Sequence, residues 1–317
     1  MRNFLIIPIL FIFLVSCSNS EDFDIPKISK LEKLEEHSNQ FIKGIYSYDN
    51  GIHVAIGFGI ANSIMVEGEG GNIIIDTTDD VSQAKEVLSE FQKINQNPIK
   101  AIIYTHNHGD HVFGASEFYN AQEEKPLVIA HSTTAEKVEK ILGIINPIIT
   151  LRSGKMFGTN LDDNELINVG LGPYLSAGRS SPGYIAPTLT FEKELKLEIA
   201  GHKVELYHAP GETDDQLFVW FPELSALMPG DNFYTTFPNL YTIRGTSHRD
   251  VIGWVNSIDK MRSLDPQYLF PSHTMPVVGE EISNALIIYR DGMQYVHDQT
   301  VRSVSYTHLT LPTMMSV

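Results

Sequence analysis

The chain has 317 residues, 42% hydrophobic and 20% charged, a globular composition with room for one large domain or two modest ones. Acidic residues outnumber basic ones by 39 to 23, a formal charge of −16. Such a surface has no general affinity for nucleic acid or anionic membranes, and it holds an anionic substrate only through local positive charge, meaning metal ions or a placed arginine.

The first residues do not belong to the fold. Met1, Arg2 and Asn3 make a short positive start. The apolar run 4–15 is too short to span a bilayer, which takes about 20 residues, but it has the size of a signal-peptide core. It closes in Leu14-Val15-Ser16-Cys17, which resembles a bacterial lipoprotein box. That resemblance implies cleavage before Cys17, a lipid on its sulfur, and an exported, membrane-anchored protein of the periplasm or cell surface. Cys17 is the only cysteine, so the folded part holds no intramolecular disulfide and no thiolate metal site. Residues 18–43 are expected to be a polar tether and a leading helix over 31–41.

From Gly44 the pattern changes to short β-branched and aromatic runs separated by Asn-Gly and Gly-Gly turns, a meander of antiparallel hairpins ending in GNIIID at Asp76. Helical periodicity follows over 79–94. Residues 101–104 form a buried strand running into a polar loop that carries His106, His108, Asp110 and His111, with a short helix from Val112. Three imidazoles and a carboxylate so close together offer little to an apolar core, whereas a borderline divalent cation such as zinc takes nitrogen and carboxylate ligands of this kind. On an extended segment His106 and His108 share a side, while Asp110 and His111 lie past the bend. The cluster therefore suits two neighbouring metals better than one.

A strand over 127–130 and a helix over 132–145, capped by Ser132 or Thr133, come next. Residues 147–187 are rich in Gly, Ser, Asn and Pro and read as an irregular insertion that could cover a site. Strands resume at 188–191, 195–199, 202–208, 217–221 and 226–228. A helix over 249–264, a strand at 268–270 and a last helix over about 280–297 complete the pattern. This order predicts two sheets packed face to face with helices outside. The tail from Ser303 departs from the preceding helical pattern and reads as a non-native ending of a catalytic unit spanning 44–302.

Three further loops carry metal-type ligands just after predicted strands. Glu212 sits in APGETDD, Asp231 in PGDN and His273 in PSHTMP, each beside a Gly or Pro that can fix a bend. With the histidine loop they supply seven N/O ligands, enough for two metals sharing one carboxylate. The other histidines of the fold (His37, His53, His131, His202, His208, His248 and His297) read as structural or surface residues.

THNHGDH, at 105–111, resembles the HxHxDH signature of the metallo-β-lactamase superfamily, and the order Asp76, histidine loop, PGE, GDN, SHT follows that superfamily from end to end. PGE with Glu in place of the usual His, followed by NLYTIRG and SHTMPVVG, is most similar to its alkylsulfatase branch. The resemblance implies an αββα sandwich of two mixed sheets and a binuclear zinc hydrolase of sulfate esters. It assigns His106, His108 and Glu212 to one metal, Asp110, His111 and His273 to the other, and Asp231 to both. Glu212 is preferred to Asp214 or Asp215 in a PGE loop one residue shorter than the branch's own. Arg244 matches an arginine that holds the sulfate, with Asn239 and Tyr241 as candidate supports, and Asp76 matches an aspartate that orients a metal-bound histidine. Zinc brings bound water to a pKa of about 7, so hydroxide is the expected nucleophile, with Asp110, Asp231 and Arg244 as the catalytic side chains. The expected partner is a small anionic ester, with no nucleic acid and no membrane contact beyond a lipid anchor. Chains of that branch continue into a helical dimerisation domain and a lipid-carrier-like domain. Neither pattern is read in this stretch, so the resemblance does not carry over a homodimer or the capture of long alkyl chains. The alternatives are a hydrolase of the same fold acting on a β-lactam, thioester or lactone, and a non-catalytic surface lipoprotein.

Overall fold

The computed structural model describes residues 30–162, 165–175 and 182–314. The signal run and Cys17 lie outside the described residues. The leading helix is α1 (Lys30–His37), extended by one 3-10 turn to Phe41, which buries its ring against the fold. The meander follows as β1 (Gly44–Ser47), β2 (Ile52–Ile56), β3 (Ser63–Gly68) and β4 (Gly71–Ile75), each antiparallel to the one before. Helix α2 (Val81–Ile94) starts at Asp80, whose carboxylate accepts the Gln83 N–H at 2.9 Å. It returns the chain to β5 (Ile99–Ile103), parallel to β4.

After β5 come two short helices, α3 (Gly109–Val112) and α4 (Ala115–Asn120). The first turn of helix therefore begins earlier than predicted and carries Asp110 and His111 itself. Strand β6 (Leu127–His131), helices α5 (Thr134–Leu142) and α6 (Asn146–Met156), and β7 (Leu189–Phe191) close a seven-stranded sheet. The expected irregular insertion thus opens with a helix. Pro147 stands in the first turn of α6, where its fixed φ and missing N–H favour a start.

The second sheet has six strands: β8 (Glu194–Ile199), β9 (His202–His208), β10 (Leu217–Phe221), β11 (Ala226–Met228), β12 (Tyr268–Leu269) and β13 (Val277–Val278). Helix α7 (Val251–Arg262) links β11 to its parallel neighbour β12, and α8 (Glu281–Met314) ends the described chain. The tail predicted to break from this helix continues it. Val301, Val304 and Tyr306 are exposed on it.

Two mixed sheets face each other, with helices on both outer faces: an αββα sandwich. Ile52, Ile64 and Ile103 of the first sheet meet Leu206, Val219 and Met228 of the second in the middle layer. Ala84, Val87 and Phe91 of α2 cover one outer face; Trp254 of α7 and Leu286 of α8 cover the other. Each fully buried aliphatic or aromatic side chain contributes about 1.5–3 kcal/mol.

Parallel register positions the site. Ile75 of β4 pairs with Ile103 of β5, and Leu227 of β11 with Leu269 of β12. The segments leaving these strands therefore emerge together at one edge of the sandwich. Close approach there depends on Gly114, where an added Cβ would lie 1.8 Å from the Thr77 carbonyl oxygen and 2.6 Å from Ala84 Cβ. Gly114→Ala is expected to cost about 1–3 kcal/mol by overpacking. It should lower the unfolding midpoint by several degrees in a thermal melt, and an unchanged midpoint would contradict this packing.

Candidate metal centre

Four loops meet at the sandwich edge. His106, His108, Asp110 and His111 follow β5; Glu212 follows β9; Asp231 follows β11; His273 follows β12. Ligand-type atoms of His106, His108, Glu212 and Asp231 lie within 4.8 Å of one another, and so do those of Asp110, His111 and His273. Asp231 belongs to both neighbourhoods. Its Oδ2 is 3.6 Å from His106 Nε2, 3.4 Å from His111 Nε2 and 3.2 Å from His273 Nε2. All seven residues assigned to metals from the sequence converge here. Asp214 and Asp215 do not: Asp214 pairs with Lys137 at 2.6 Å, and Asp215 accepts from Asn107 and, at 2.7 Å, from Thr134.

The histidine orientations follow from a hydrogen-bond chain on Asp76. Its carboxylate accepts the Thr105 N–H (2.9 Å), the Thr105 hydroxyl (2.9 Å), the Ser272 hydroxyl (2.7 Å) and His111 Nδ1–H (2.8 Å). The single Thr105 hydroxyl proton is spent on Asp76, so its oxygen must accept from His106 Nδ1, 3.0 Å away. His273 Nδ1–H donates to the Ile60 carbonyl at 2.8 Å. In all three rings Nδ1 carries a proton, which turns Nε2 toward Asp231, the orientation metal-binding imidazoles use. Asp76 itself is in the left-handed region at φ +56°, as are Thr78 and Thr274 at +71° and +64°. Such backbone is costly for these residues and persists only where the surroundings hold it.

Buried polar atoms without hydrogen bonds converge at the centre: His106 Nε2, His111 Nε2, Glu212 Oε2 and Asp231 Oδ1. Lone pairs left unmet in a buried site are expensive, and divalent cations would satisfy them. Nitrogen and carboxylate donors in two groups around a shared carboxylate fit a pair of such ions.

Electrostatics agree. Burial, then the neighbouring His111, holds the His106 imidazole well below its ordinary range; burial, then Arg244, lowers His108 to about 3. Both are neutral and ligand-competent at pH 7. Burial opposes charge on Asp231, but His111, His273 and His106 outweigh it and keep the carboxylate ionised. For His273, burial is outweighed by Asp231 and the pKa rises to about 9. Burial and then Asp231 push Glu212 up to about 8, against the pull of Arg249.

Arg249 is the residue the sequence reading missed. Its Nη2 lies 2.7 Å from Glu212 Oε1, with both side chains buried, and its Nη1 donates to the Asn239 carbonyl oxygen. The only signal was a second arginine after Arg244 in RGTSHRD, and local sequence does not say which arginine turns inward. Arg244 is half-buried, its guanidinium 5.6 Å from the Phe157 ring centroid and its Nη1 3.6 Å from Met156 Sδ. Asn239 and Arg244 line a cavity of about 340 Å³ whose polar end holds His108, Asp110, Glu212, Asp231 and His273. Its walls are apolar, from Phe113, Ile141, Ile149, Phe157, Leu171 and Leu175. Tyr241 is not part of this cavity. It is 77% exposed, because a turn closed by Gly245 N–H on the Thr242 carbonyl buries Thr242 and turns Tyr241 outward.

This fold and ligand arrangement carry a family pattern. Residues 56–273 match the metallo-beta-lactamase superfamily, and the chain belongs to it. It is similar to a linear primary-alkylsulfatase of Pseudomonas sp. (strain ATCC 19151), with 40% identity over 245 residues, covering 75% of this chain and 46% of that protein. An alkyl/aryl-sulfatase of Saccharomyces cerevisiae is 27% identical over 276 residues, covering 82% of this chain and 42% of its own. The chain thus spans about half the length, or less, of the curated relatives it matches. Among solved structures, a stereoselective inverting sec-alkylsulfatase from Pseudomonas sp. superposes with a TM-score of 0.80 at 23% identity, over 87% of this chain and 45% of that one. A metallo-beta-lactamase family protein from Thermus thermophilus gives 0.58 at 18%, over 77% and 80%. These structural likenesses speak to the fold.

A stability test follows from the charges. A carboxyl raised from 4.5 to about 8 costs stability as pH climbs through that range, and an imidazole raised from 6.5 to about 9 loses its contribution as pH climbs through 9. The opposing effect of His106 and His108 lies below pH 6.5. Chelator-treated protein should therefore lose stability from pH 7 to 9 in thermal melts, Glu212→Gln should flatten that slope, and zinc should abolish it. A chelated protein equally stable at both pH values would refute these assignments. Asp231→Ala should remove metal binding from both groups, read as ions per chain after dialysis.

Proposed function

We propose that the protein is an exported, lipid-anchored hydrolase that cleaves alkyl sulfate esters with two zinc ions. The observation that carries this reading is the half-buried Arg244 beside Asn239, next to the ligand cluster, at the polar end of an apolar cavity. A planar guanidinium grips a tetrahedral oxyanion through parallel hydrogen bonds, while the walls suit an alkyl chain. Support for the substrate class also comes from the relatives, which are themselves alkyl- or aryl-sulfatases. Export is supported by the positive start, apolar run and Cys17 of the sequence.

His106, His108, Glu212 and Asp231 would hold one ion, and Asp110, His111 and His273, with Asp231 shared, the other. Bound there, the ions supply a nucleophile from water at neutral pH and offset the ester's charge. The chain's own groups do the rest. Arg244 and the Asn239 carboxamide orient the sulfate oxygens. The walls exclude bulk water, which strengthens each charge–charge contact at the polar end. Asp110 lines the cavity, and its carboxylate, 3.2 Å from His111 Nε2 and 3.5 Å from His273 Nε2, would help to hold the second ion at the polar end. Arg249 holds Glu212 in place and fixes the Asn239 backbone.

The test is release of inorganic sulfate from a medium-chain alkyl sulfate, abolished by a chelator and by His108→Ala. Arg244→Ala should lower kcat/KM for that ester about 10- to 100-fold, the value of charge-assisted hydrogen bonds at a shielded site. Metal-loaded protein that releases no sulfate from a panel of esters overturns the reading. Turnover of a lactone, thioester or β-lactam that is indifferent to Arg244→Ala identifies a different bond.

A further inference from the structure

A second cleft, of about 150 Å³, meets the apolar cavity at His108, Glu212 and Arg244. Ile141 and Ile149 line both, but the second cleft adds Lys137, Lys140, Thr213 and Thr246. The second runs between α5 and the loop 244–248, and its rim carries Lys137, Lys140, Ser247 and His248. In a chain of charge −16, this is a local reversal of sign. The acids that line it are already engaged: Asp214 with Lys137 at 2.6 Å, Glu212 with Arg249 at 2.7 Å. Lys140, exposed at the outer rim, and Arg244, at the inner end, have no carboxylate partner among the described residues. Two cations without a carboxylate partner among the described residues therefore stand at the two ends of one passage.

We propose that this cleft binds inorganic sulfate and carries it from the metal centre to solvent. The inference rests on the sulfatase reading. Hydrolysis of a sulfate ester consumes one water and yields one alcohol and one hydrogen sulfate, which gives up a proton at neutral pH. The alcohol partitions into the apolar cavity it already occupies. A doubly charged anion cannot leave that way without shedding its hydration against aliphatic walls, at a high cost. The passage past Arg244 toward Lys140, Ser247 and His248 offers charge and hydroxyl groups beside Ile141, Ile145 and Ile149. Because Lys140 is exposed, its hold on the anion is weak, as passage requires: enough to draw the ion outward, too little to retain it.

The experiment uses the full, metal-loaded chain, titrated calorimetrically with inorganic sulfate and assayed for product inhibition by sulfate. Lys140→Glu should raise the sulfate dissociation and inhibition constants about three- to ten-fold, with Lys140→Ala between, and should leave KM for the ester within about two-fold. Sulfate binding of equal strength in both variants overturns the passage, since Arg244 alone then holds the anion. A parent protein that binds no sulfate overturns it too. Lys140-dependent sulfate binding in a protein that releases none from alkyl sulfates sinks the sulfatase reading and leaves the anion cleft standing.

Discussion

The centre depends on one buried carboxylate. Asp76 gathers four donors from Thr105, Ser272 and His111, and through the Thr105 hydroxyl it also dictates the proton on His106. A charge at zero exposure is tolerable only when hydrogen-bonded this fully, and charge-assisted bonds are about twice as strong as neutral ones. The same contacts tie the end of β4 to the loops after β5 and β12, so one side chain sets ring tautomers and loop positions together. The left-handed backbone at Asp76 is the geometric cost of turning that carboxylate back across the sheet edge.

Much of this could be read from the chain because it is local. The histidine loop has its ligands within six residues, and the strands before Glu212, Asp231 and His273 show clear β-patterning. Their convergence follows from parallel strand pairing, a regular feature. What escaped is what tertiary context decides. Arg249 and Arg244 sit five residues apart in an irregular loop, and nothing in RGTSHRD says that the later one is buried on Glu212 while the earlier one faces the cavity. Tyr241 is a candidate support for the anion by its place in NLYTIRG, but a turn at 242–245 faces it outward. Helix α6 was hidden by Gly, Ser and Pro, residues that read as loop until Pro147 is seen to occupy a first turn. The end of α8 was hidden because an unpacked helix has no amphipathic stripe to detect.

The charge pattern separates two scales. Over the whole chain acid prevails, which keeps polyanions away. In the second cleft basic side chains outnumber acidic ones: Lys137, Lys140 and Arg244 line it with Glu212 and Asp214, and Lys140 and Arg244 lack a carboxylate partner among the described residues. Attraction at short range and repulsion at long range select for small anions over large ones, since the field beyond a Debye length of about 8 Å is screened.

The spread of the ligand set along the chain has a mechanical meaning. His106 and His273 are drawn from opposite halves of the molecule, from different sheets, and Glu212 and Asp231 from strands between them. A pair of ions sharing Asp231 and gripping all four loops would be a removable cross-link, closing among others the span of about a hundred residues from His106 to Glu212. In a chain whose single cysteine, Cys17, has no partner, it would do for the two sheets what a disulfide does in disulfide-bonded domains. The same contacts that prepare a reaction would then also fasten the sandwich shut, and the strength of that fastening would follow the supply of metal rather than the redox state of the surroundings.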